Sequence, residues 1–191
     1  MRFILIAPPV PTQNWKREFE SIAPHIPLVV GAETDHPEEI ECAMVWKQKP
    51  GILSPFKNLK LIFSMGAGVD HILSDKSIPN HIPICRVVDP QMAFSMTNYV
   101  LMAVLNHHRS FYDYQKAQQK KRWAQFEFEE LNLKIGVLGI GFLGMDIAAK
   151  LEGLGFSVYG YSTRPKKTSF PSFSGDELDT FLSEINVLIC V

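Results

Sequence analysis

The chain has 191 residues, of which 46% are hydrophobic and 20% are charged, and its formal net charge is -1. This length and composition predict a soluble globular protein with one large domain or two small ones. The 19 basic and 20 acidic residues are mixed along the chain, so no basic patch indicates binding to nucleic acid or to an anionic membrane surface. We therefore expect small, soluble partners.

The cysteines and the N-terminal residues bear on the cellular compartment. Cys42, Cys85 and Cys190 are odd in number, far apart and embedded in apolar runs, which favours reduced, packed thiols over disulfides or a zinc site. The first residues, MRFILIAPPVP, form too short an apolar run for a signal peptide, and no stretch approaches the roughly 18 apolar residues of a membrane span. The prediction is a cytoplasmic protein without a metal site and without membrane contact.

Short apolar runs rich in Ile, Val and Phe recur through the first 90 or so residues, with room for helices between them. The predicted strands cover residues 3–7, 28–30, 43–46, 59–64 and 84–88, and residues 15–22 are typical of a helix. Strands that alternate with helices predict a parallel sheet covered on both faces. Residues 1–95 are therefore predicted to form a flavodoxin-like or Rossmann-like α/β domain.

A break at Asp89-Pro90 precedes residues 91–121, which contain neither Gly nor Pro and are predicted to form one long helix. The segment RWAQFEFEELN, residues 122–132, then leads into a second β/α series. Its predicted elements are a strand at 134–138, a helix at 142–154, a strand at 156–161, a short helix opened by a capping box at Ser174-Gly-Asp-Glu177, and a strand at 187–191. Residues 96–191 thus predict an interdomain helix and the N-terminal half of a Rossmann dinucleotide-binding domain.

The stretch VLGIGFLG, residues 137–144, carries the G-x-G-x-x-G pattern between a strand and a helix, which is the context that a dinucleotide turn needs. Gly139 permits the tight turn, Gly141 lets the backbone approach a pyrophosphate, and Gly144 lets helix and strand pack closely. The helix N-terminus, with Phe142 and Leu143, offers free N–H groups and a positive dipole to the phosphates. The alternative is an ordinary βα turn.

The choice between NAD and NADP depends on the end of the next strand, where an acidic residue would bind the ribose 2'-hydroxyl. This chain has GYSTRPKK at residues 160–167 and no acid. Ser162, Thr163 and Arg164, with Lys166 and Lys167 behind them, supply hydroxyl and cationic donors suited to a 2'-phosphate. The sequence favours NADP over NAD, the alternative being a solvated basic loop.

The loop FSMGAGVDHI, residues 63–72, follows a predicted strand and leads into a helix. Together with AMVWK at 43–47, LKLIFSMGAG at 59–68 and the late nucleotide turn, it resembles the D-isomer-specific 2-hydroxyacid dehydrogenases along the whole chain. The likeness is strongest to the glyoxylate/hydroxypyruvate reductase A branch of that family, which prefers NADPH.

This resemblance implies a substrate domain followed by a cofactor domain, with a small 2-oxoacid bound in the cleft between them. It also implies that the backbone N–H groups of Ala67 and Gly68 take the substrate carboxylate and that Trp46 lines the pocket. Successive N–H groups in a Gly-rich loop are suited to such an anion, although GAGVD read as a mere turn is the alternative. By the same resemblance Met96 and Thr97 are expected near the nicotinamide. We also expect a homodimer through the interdomain helix region.

The chain departs from the family in two respects. Many members have an acidic residue where this chain has Asn98, so a charged role there is not carried over. The Arg, the carboxylate and the His that the family uses for catalysis are expected after the strand that ends at Val191, so the chain is interpreted as an N-terminal portion without a catalytic residue. The nearby Asp70 and His71 are weaker candidates for acid/base work.

Two functions follow from these observations. The first is NADPH-dependent reduction of glyoxylate or hydroxypyruvate to the 2-hydroxy acid, with the cofactor supplying hydride. The alternative is a non-catalytic NADP-binding or interaction module that keeps the phosphate turn but lacks the chemistry. In either case the apolar strand at 187–191 predicts an unpaired sheet edge with exposed hydrophobic surface.

Overall fold

A computed structural model describes residues 1–126 and 133–191 of the chain. The chain divides into two compact units, residues 1–88 and 89–191, and each contains one parallel sheet. The predicted α/β class is therefore confirmed. Of the segment 122–132, residues 127–132 lie outside the described residues.

The first unit is a five-stranded parallel sheet with the strand order β2-β1-β3-β4-β5, which is the flavodoxin-like order. Its central strands carry near-continuous apolar runs, because a parallel strand is covered on both faces. Ile4, Ala43, Val45 and Ile62 are fully buried in its core. In chain order its elements are β1 (Arg2–Ile6), α1 (Thr12–Ile22), β2 (Leu28–Val30), a 3-10 turn (Pro37–Glu39), β3 (Ile40–Val45), β4 (Leu61–Ser64), α2 (Asp70–Leu73) and β5 (Ile84–Arg86).

The second unit contains a four-stranded parallel sheet with the strand order β8-β7-β6-β9, which is the order of a Rossmann half. Strand β8 was not predicted, because it is short and polar and is defined by its pairing with β7. The elements of this unit are α3 (Pro90–His108), α4 (Phe111–Gln119), β6 (Lys134–Leu138), α5 (Phe142–Gly153), β7 (Ser157–Ser162), β8 (Ser172–Ser174), a 3-10 turn (Gly175–Glu177), α6 (Leu178–Ser183) and β9 (Val187–Cys190).

The prediction of one long helix over residues 91–121 is wrong. Helix α3 begins at Pro90, with the Asp89 carboxylate accepting a hydrogen bond from the Gln91 amide at 2.9 Å, and it ends at His108. Ser110 then adopts a left-handed conformation with φ of 52°, which no helix continues through, and α4 starts at the next residue. Neither Gly nor Pro marks this break, so the sequence pattern does not reveal it.

The capping box at the start of the short helical segment is confirmed. The Glu177 carboxylate accepts a hydrogen bond from the Ser174 amide at 2.8 Å, and the 3-10 turn leads directly into α6. Phe181 of α6 is fully buried. The local signal in the sequence is sufficient here because both partners lie within one turn.

The prediction that all three cysteines are packed thiols holds for only one of them. Cys42, on the central strand β3, is fully buried, and this burial raises the pKa of its thiol to about 11. Cys85 and Cys190 are exposed, because they lie on β5 and β9, which are edge strands of the two sheets. All three are unpaired.

Among the described residues, no helix is both long enough and apolar enough to cross a membrane.

Candidate functional site

The first unit presents a glycine loop at the end of β4. Ser64, the last residue of that strand, is fully buried, and its hydroxyl donates to the Gly68 carbonyl at 2.7 Å. The same hydroxyl accepts a longer hydrogen bond, 3.4 Å, from the Gly66 amide. The Ser64 side chain thereby links the start of residues 64–68 to their end. We call these residues the β4 loop.

Two hydrogen bonds from the end of β5 hold the outer side of the β4 loop. The Gly66 carbonyl accepts from the Val87 amide at 3.2 Å, and the Ala67 carbonyl accepts from the Arg86 guanidinium at 3.3 Å. Within the described residues, neither the Ala67 nor the Gly68 amide donates a hydrogen bond. The loop therefore offers two adjacent N–H groups without an internal acceptor, which is the arrangement that an anion requires.

Trp46 forms an apolar wall beside the β4 loop. Its ring lies so close to Gly66 that a Cβ atom there would be 2.2 Å from the ring, so only glycine fits at this position. His71 packs edge-on against the same ring, with centroids 5.2 Å apart. Gln48, which the sequence analysis did not identify, is buried and donates to the His71 carbonyl at 3.1 Å. His71 thus packs against Trp46, and Gln48 in turn holds the backbone of His71.

Two charged groups flank the β4 loop with opposite effects on an anion. Arg86 contributes a positive charge through its contact with Ala67. The Asp70 carboxylate lies on the other side, 3.0 Å from the position that a Cβ atom of Gly68 would take. Because both side chains are exposed, salt would screen the effect of either charge on an anion.

The second unit presents the nucleotide turn predicted between β6 and α5. Gly139 has φ of 105°, and its amide donates to the Tyr161 carbonyl at 2.9 Å. A Cβ atom at Gly144 would lie 2.1 Å from the Gly139 carbonyl oxygen, whereas a Cβ atom at Gly141 would meet nothing within 4 Å. Gly144 therefore serves close packing, and Gly141 faces open space of the kind that a phosphate could fill.

The first turn of α5 contains Phe142 and Leu143, so their amides belong to the helix end whose N–H groups lack intrahelical acceptors. Such an end also carries the positive pole of the helix dipole. The geometry of the turn is suited to a pyrophosphate held by backbone groups.

The end of β7 lies next to this turn, because β6 and β7 pair in parallel with Leu138 opposite Tyr161. Ser162 is the last residue of β7, and its hydroxyl donates to the Arg164 carbonyl at 2.7 Å, which bends the chain over residues 162–164. The Thr163 and Arg164 side chains are exposed. The structure therefore brings the predicted 2'-phosphate residues beside the predicted pyrophosphate turn.

Lys166 is a cationic residue to which the sequence analysis assigned only a place behind the strand end. Its ammonium donates to the Ile140 carbonyl at 2.7 Å, so the side chain folds back onto the nucleotide turn itself. The pair Lys166-Lys167 in the sequence was the available signal, but nothing local distinguishes one lysine of the pair from the other.

Met96 and Thr97, expected near the nicotinamide, lie in the first half of α3. Met96 is 41% exposed, whereas Thr97 is fully buried and donates through its hydroxyl to Asp146 of α5 at 2.5 Å. Lys150 lies 2.5 Å from the other carboxylate oxygen of Asp146. Lys150, and next the Thr97 hydroxyl, hold the pKa of Asp146 below its usual range. The Thr97 hydroxyl is therefore engaged in joining α3 to α5.

Comparison with known proteins identifies relatives for the chain. Residues 101–191 match the family described as D-isomer specific 2-hydroxyacid dehydrogenase, NAD binding domain. Glyoxylate/hydroxypyruvate reductase A from Photorhabdus laumondii is 32% identical over 197 residues, covering 99% of this chain and 63% of the relative. The protein of the same name from Enterobacter sp. is 38% identical over 161 residues, covering 80% of this chain and 51% of the relative. The chain thus spans about half to 63% of the length of such relatives.

Solved structures with names of the same family are also similar to the chain. A D-isomer specific 2-hydroxyacid dehydrogenase from Xanthobacter autotrophicus, in complex with NADPH and MES, matches with a TM-score of 0.86 and 32% identity, over 100% of this chain and 62% of that one. An NADPH-dependent glyoxylate/hydroxypyruvate reductase from Sinorhizobium meliloti, in complex with NADP and sulfate, matches with a TM-score of 0.80 and 29% identity, over 100% of this chain and 61% of that one.

Proposed function

We propose that this chain, which belongs to the D-isomer specific 2-hydroxyacid dehydrogenase family, carries the substrate loop and the nucleotide-binding half of an NADPH-dependent reductase of small 2-oxoacids. The observation that carries the proposal is the pair of anion-binding loops: the β4 loop with two unpaired amides, and the turn at the start of α5. The first suits a substrate carboxylate and the second suits a pyrophosphate. The names of the relatives support glyoxylate or hydroxypyruvate as the substrate.

NADP is the cofactor that the nucleotide turn and the end of β7 fit best. Gly141 leaves open space at the helix N-terminus, and no acidic residue follows β7 where the ribose 2'-hydroxyl of NAD would need one. Arg164, exposed after β7, supplies positive charge for a 2'-phosphate instead, and Lys166 adds positive charge at the nucleotide turn. The NADPH and NADP bound in the related structures support the same assignment.

In the proposed reaction the residues of this chain bind and orient rather than transfer protons. The Ala67 and Gly68 amides hold the carboxylate of the 2-oxoacid, and Trp46 limits the size of the group attached to its carbonyl carbon. NADPH, when bound, supplies the hydride that reduces the carbonyl to a secondary or primary alcohol. The carbonyl oxygen takes up one proton in the same reduction, and no residue of this chain is assigned as its donor.

The cofactor assignment is tested by titrating the chain with NADPH and with NADH and following nucleotide fluorescence. We expect NADPH to bind at least tenfold more tightly, and Ser162→Asp to reverse this order because its carboxylate repels the 2'-phosphate and accepts from the ribose hydroxyl. Ser157→Asp places the same charge at the other, exposed end of β7 and should leave the ratio unchanged. Equal affinities for both nucleotides, unmoved by Ser162→Asp, contradict the assignment.

A non-catalytic NADP-binding module is the second candidate, because a fold and a nucleotide turn that suit NADP do not by themselves establish turnover. A turnover assay with glyoxylate and NADPH separates the two candidates. Turnover above the rate without protein supports reduction by this chain and rules out the module. Tight NADPH binding without turnover agrees with both candidates, and binding of a 2-oxoacid analogue at the β4 loop then favours the reductase.

A homodimer through the interdomain helix region, which comprises α3, α4 and residues 120–126, is a further part of the proposal. Several large apolar side chains here are more than half exposed, which is unusual for a monomer's surface: Tyr99 (64%), Met102 (52%), Tyr112 (56%) and Trp123 (96%). A groove of about 910 Å³ also opens here, lined in part by Phe111, Ala117 and Trp123. Light scattering should give a dimer, and Tyr112→Glu should give a monomer while Ile22→Glu, at a site 82% exposed in the other unit, leaves the dimer intact.

A further inference from the structure

The β4 loop is organised by a residue that does not itself touch the proposed ligand. Ser64 is fully buried, and its hydroxyl contacts both flanks of the loop, the Gly66 amide and the Gly68 carbonyl. Serine hydroxyls at strand ends commonly bond to the backbone nearby. Here the hydrogen bond from Ser64 to the Gly68 carbonyl lies next to the Ala67 and Gly68 amides, which have no acceptor in the described part of the chain.

The direction of these two amides follows from the groups bonded around them. In a trans peptide the N–H points opposite to the C=O of the same unit, and the described residues contain no cis peptide. The Gly66 carbonyl is held by Val87, so the Ala67 amide points away from Val87. The Ala67 carbonyl is held by Arg86, so the Gly68 amide points away from Arg86.

Ser64 holds the third carbonyl of the loop, that of Gly68. Without its hydroxyl the Gly68 carbonyl would lose its donor, at 2.7 Å, and would be free to turn. A carbonyl oxygen that turns toward the Ala67 and Gly68 amides places partial negative charge beside a bound anion. Loss of the hydroxyl therefore weakens anion binding without removing any group that contacts the anion.

We propose that Ser64 is the positioning residue of the substrate site: its buried hydroxyl holds the Gly68 carbonyl away from the Ala67 and Gly68 amides, so that both amides stay open to a carboxylate. This inference rests on the proposed function, because it takes the β4 loop as the substrate loop. A hydroxyl with a purely structural role would affect the stability of the first unit but not the affinity for an anion.

The test uses oxamate, an unreactive 2-oxoacid analogue, titrated into the 191-residue chain with the amide signals followed by ¹H–¹⁵N NMR. In the unsubstituted chain we expect the Ala67 and Gly68 signals to move on addition of oxamate. Ser64→Ala should bind oxamate about tenfold more weakly, which corresponds to losing the net contribution of about one hydrogen bond. Its affinity for NADPH should stay unchanged, because the nucleotide turn lies in the other unit.

Ser77→Ala is the matched control, because it also removes a hydroxyl hydrogen bond of 2.7 Å, made to Asp75, in a different turn of the same unit. Its oxamate affinity should stay within twofold of the unsubstituted chain. Ser64→Cys keeps a weak donor at the same place and should recover part of the affinity. If Ser64→Ala does not fold, the comparison between Ser64→Cys and the unsubstituted chain decides, with a several-fold loss expected.

The outcomes separate this inference from the proposed function. If oxamate moves the Ala67 and Gly68 signals equally well in the Ser64 variants and in the unsubstituted chain, Ser64 is not a positioning residue, and the substrate loop assignment stands. If oxamate moves neither signal in the unsubstituted chain, the assignment of the β4 loop to a substrate carboxylate is wrong, and the inference about Ser64 is overturned with it.

Discussion

The β4 loop and the nucleotide turn solve the same problem, presentation of backbone amides to an anion, by different means. Both are glycine-rich and both follow a parallel strand, but the first leads into the four residues of α2 and the second into the twelve of α5. A helix as short as α2 offers little dipole, so the β4 loop depends on the hydrogen bonds that Val87, Arg86 and Ser64 donate to its three carbonyls. The nucleotide turn depends instead on close backbone approach between Gly139 and Gly144.

The role of a glycine in such a loop depends on which atoms lie opposite its Cα atom. Gly144 faces backbone, Gly66 faces an aromatic ring, and Gly141 faces open space. Substitution by alanine should therefore have a different cost at each position, although all three belong to similar motifs.

Gly144→Ala should be the most disruptive of these changes. The new Cβ would lie 2.1 Å from the Gly139 carbonyl oxygen, which is backbone and cannot move without shifting α5 from β6. We expect a loss of about 3 kcal/mol in the free energy of unfolding, at the upper end of the usual cost of overpacking. Urea denaturation followed by circular dichroism measures it.

Gly153→Ala is the control for this change, because it lies in the same helix and its Cβ would meet nothing within 4 Å. It should leave the stability unchanged or raise it slightly, since alanine favours helix more than glycine does. Equal stability of the two variants contradicts the role given to Gly144 in helix packing.

Gly66→Ala should destabilise the first unit through a side chain rather than through backbone. Its Cβ would lie 2.2 Å from the Trp46 ring, so the ring must leave its place, at a cost of about 2 kcal/mol. Tryptophan emission should shift to the red as Trp46 becomes more exposed. Gly68→Ala, in the same loop, meets only the end of the Asp70 side chain at 3.0 Å and should cost much less. A larger loss for Gly68→Ala than for Gly66→Ala goes against this interpretation.

Asp146→Asn should weaken the attachment of α5 to α3 by about 1 kcal/mol, because it replaces an ionised acceptor of the Thr97 and Lys150 hydrogen bonds by a neutral amide. The pKa of Asp146 lies below its usual range in the folded state. Its contribution is therefore complete above the pKa of an unfolded Asp and is lost as the pH falls through the lowered pKa of the folded state. The difference between the two proteins should accordingly vanish in acid.

Asp113→Asn is the matched control for Asp146→Asn. Asp113 also pairs with a lysine on its own helix, Lys116 at 3.6 Å, but the pair is exposed and has no threonine partner. Exposed pairs of this kind contribute about 0.5 kcal/mol or less. Thermal unfolding at several pH values compares the two variants, and an equal, pH-independent effect of both contradicts the role assigned to Asp146.

Asp70→Asn should have the smallest effect of these changes, and it should be a gain: a higher affinity for oxamate. Removing a negative charge beside Gly68 should strengthen oxamate binding about two- to threefold at low ionic strength, with less gain in high salt. Asp35→Asn removes an exposed charge elsewhere in the same unit and should change nothing. Weaker binding by Asp70→Asn would indicate that the carboxylate supports the loop rather than opposing the anion.

Much of the fold was predictable because its signals are local. The apolar runs at residues 28–30 and 134–138, the G-x-G-x-x-G turn and the capping box at Ser174 each lie within a few residues, and each forms where it was predicted. The alternation of these elements was enough to predict two parallel sheets. The absence of an acidic residue just after β7 could also be seen in the sequence, because it concerns one short segment, residues 160–167.

Most of the strands and helices, their order and the two glycine-rich turns therefore follow from the sequence alone, whereas β8 does not. The tertiary structure decided which side chains complete those turns: Trp46 over Gly66, Arg86 on Ala67, Lys166 on Ile140 and Thr97 on Asp146. It also decided the break at Ser110, which no Gly or Pro announces. These features join residues that are far apart in the chain or depend on how one element packs on another, and local patterns carry no information about such pairings.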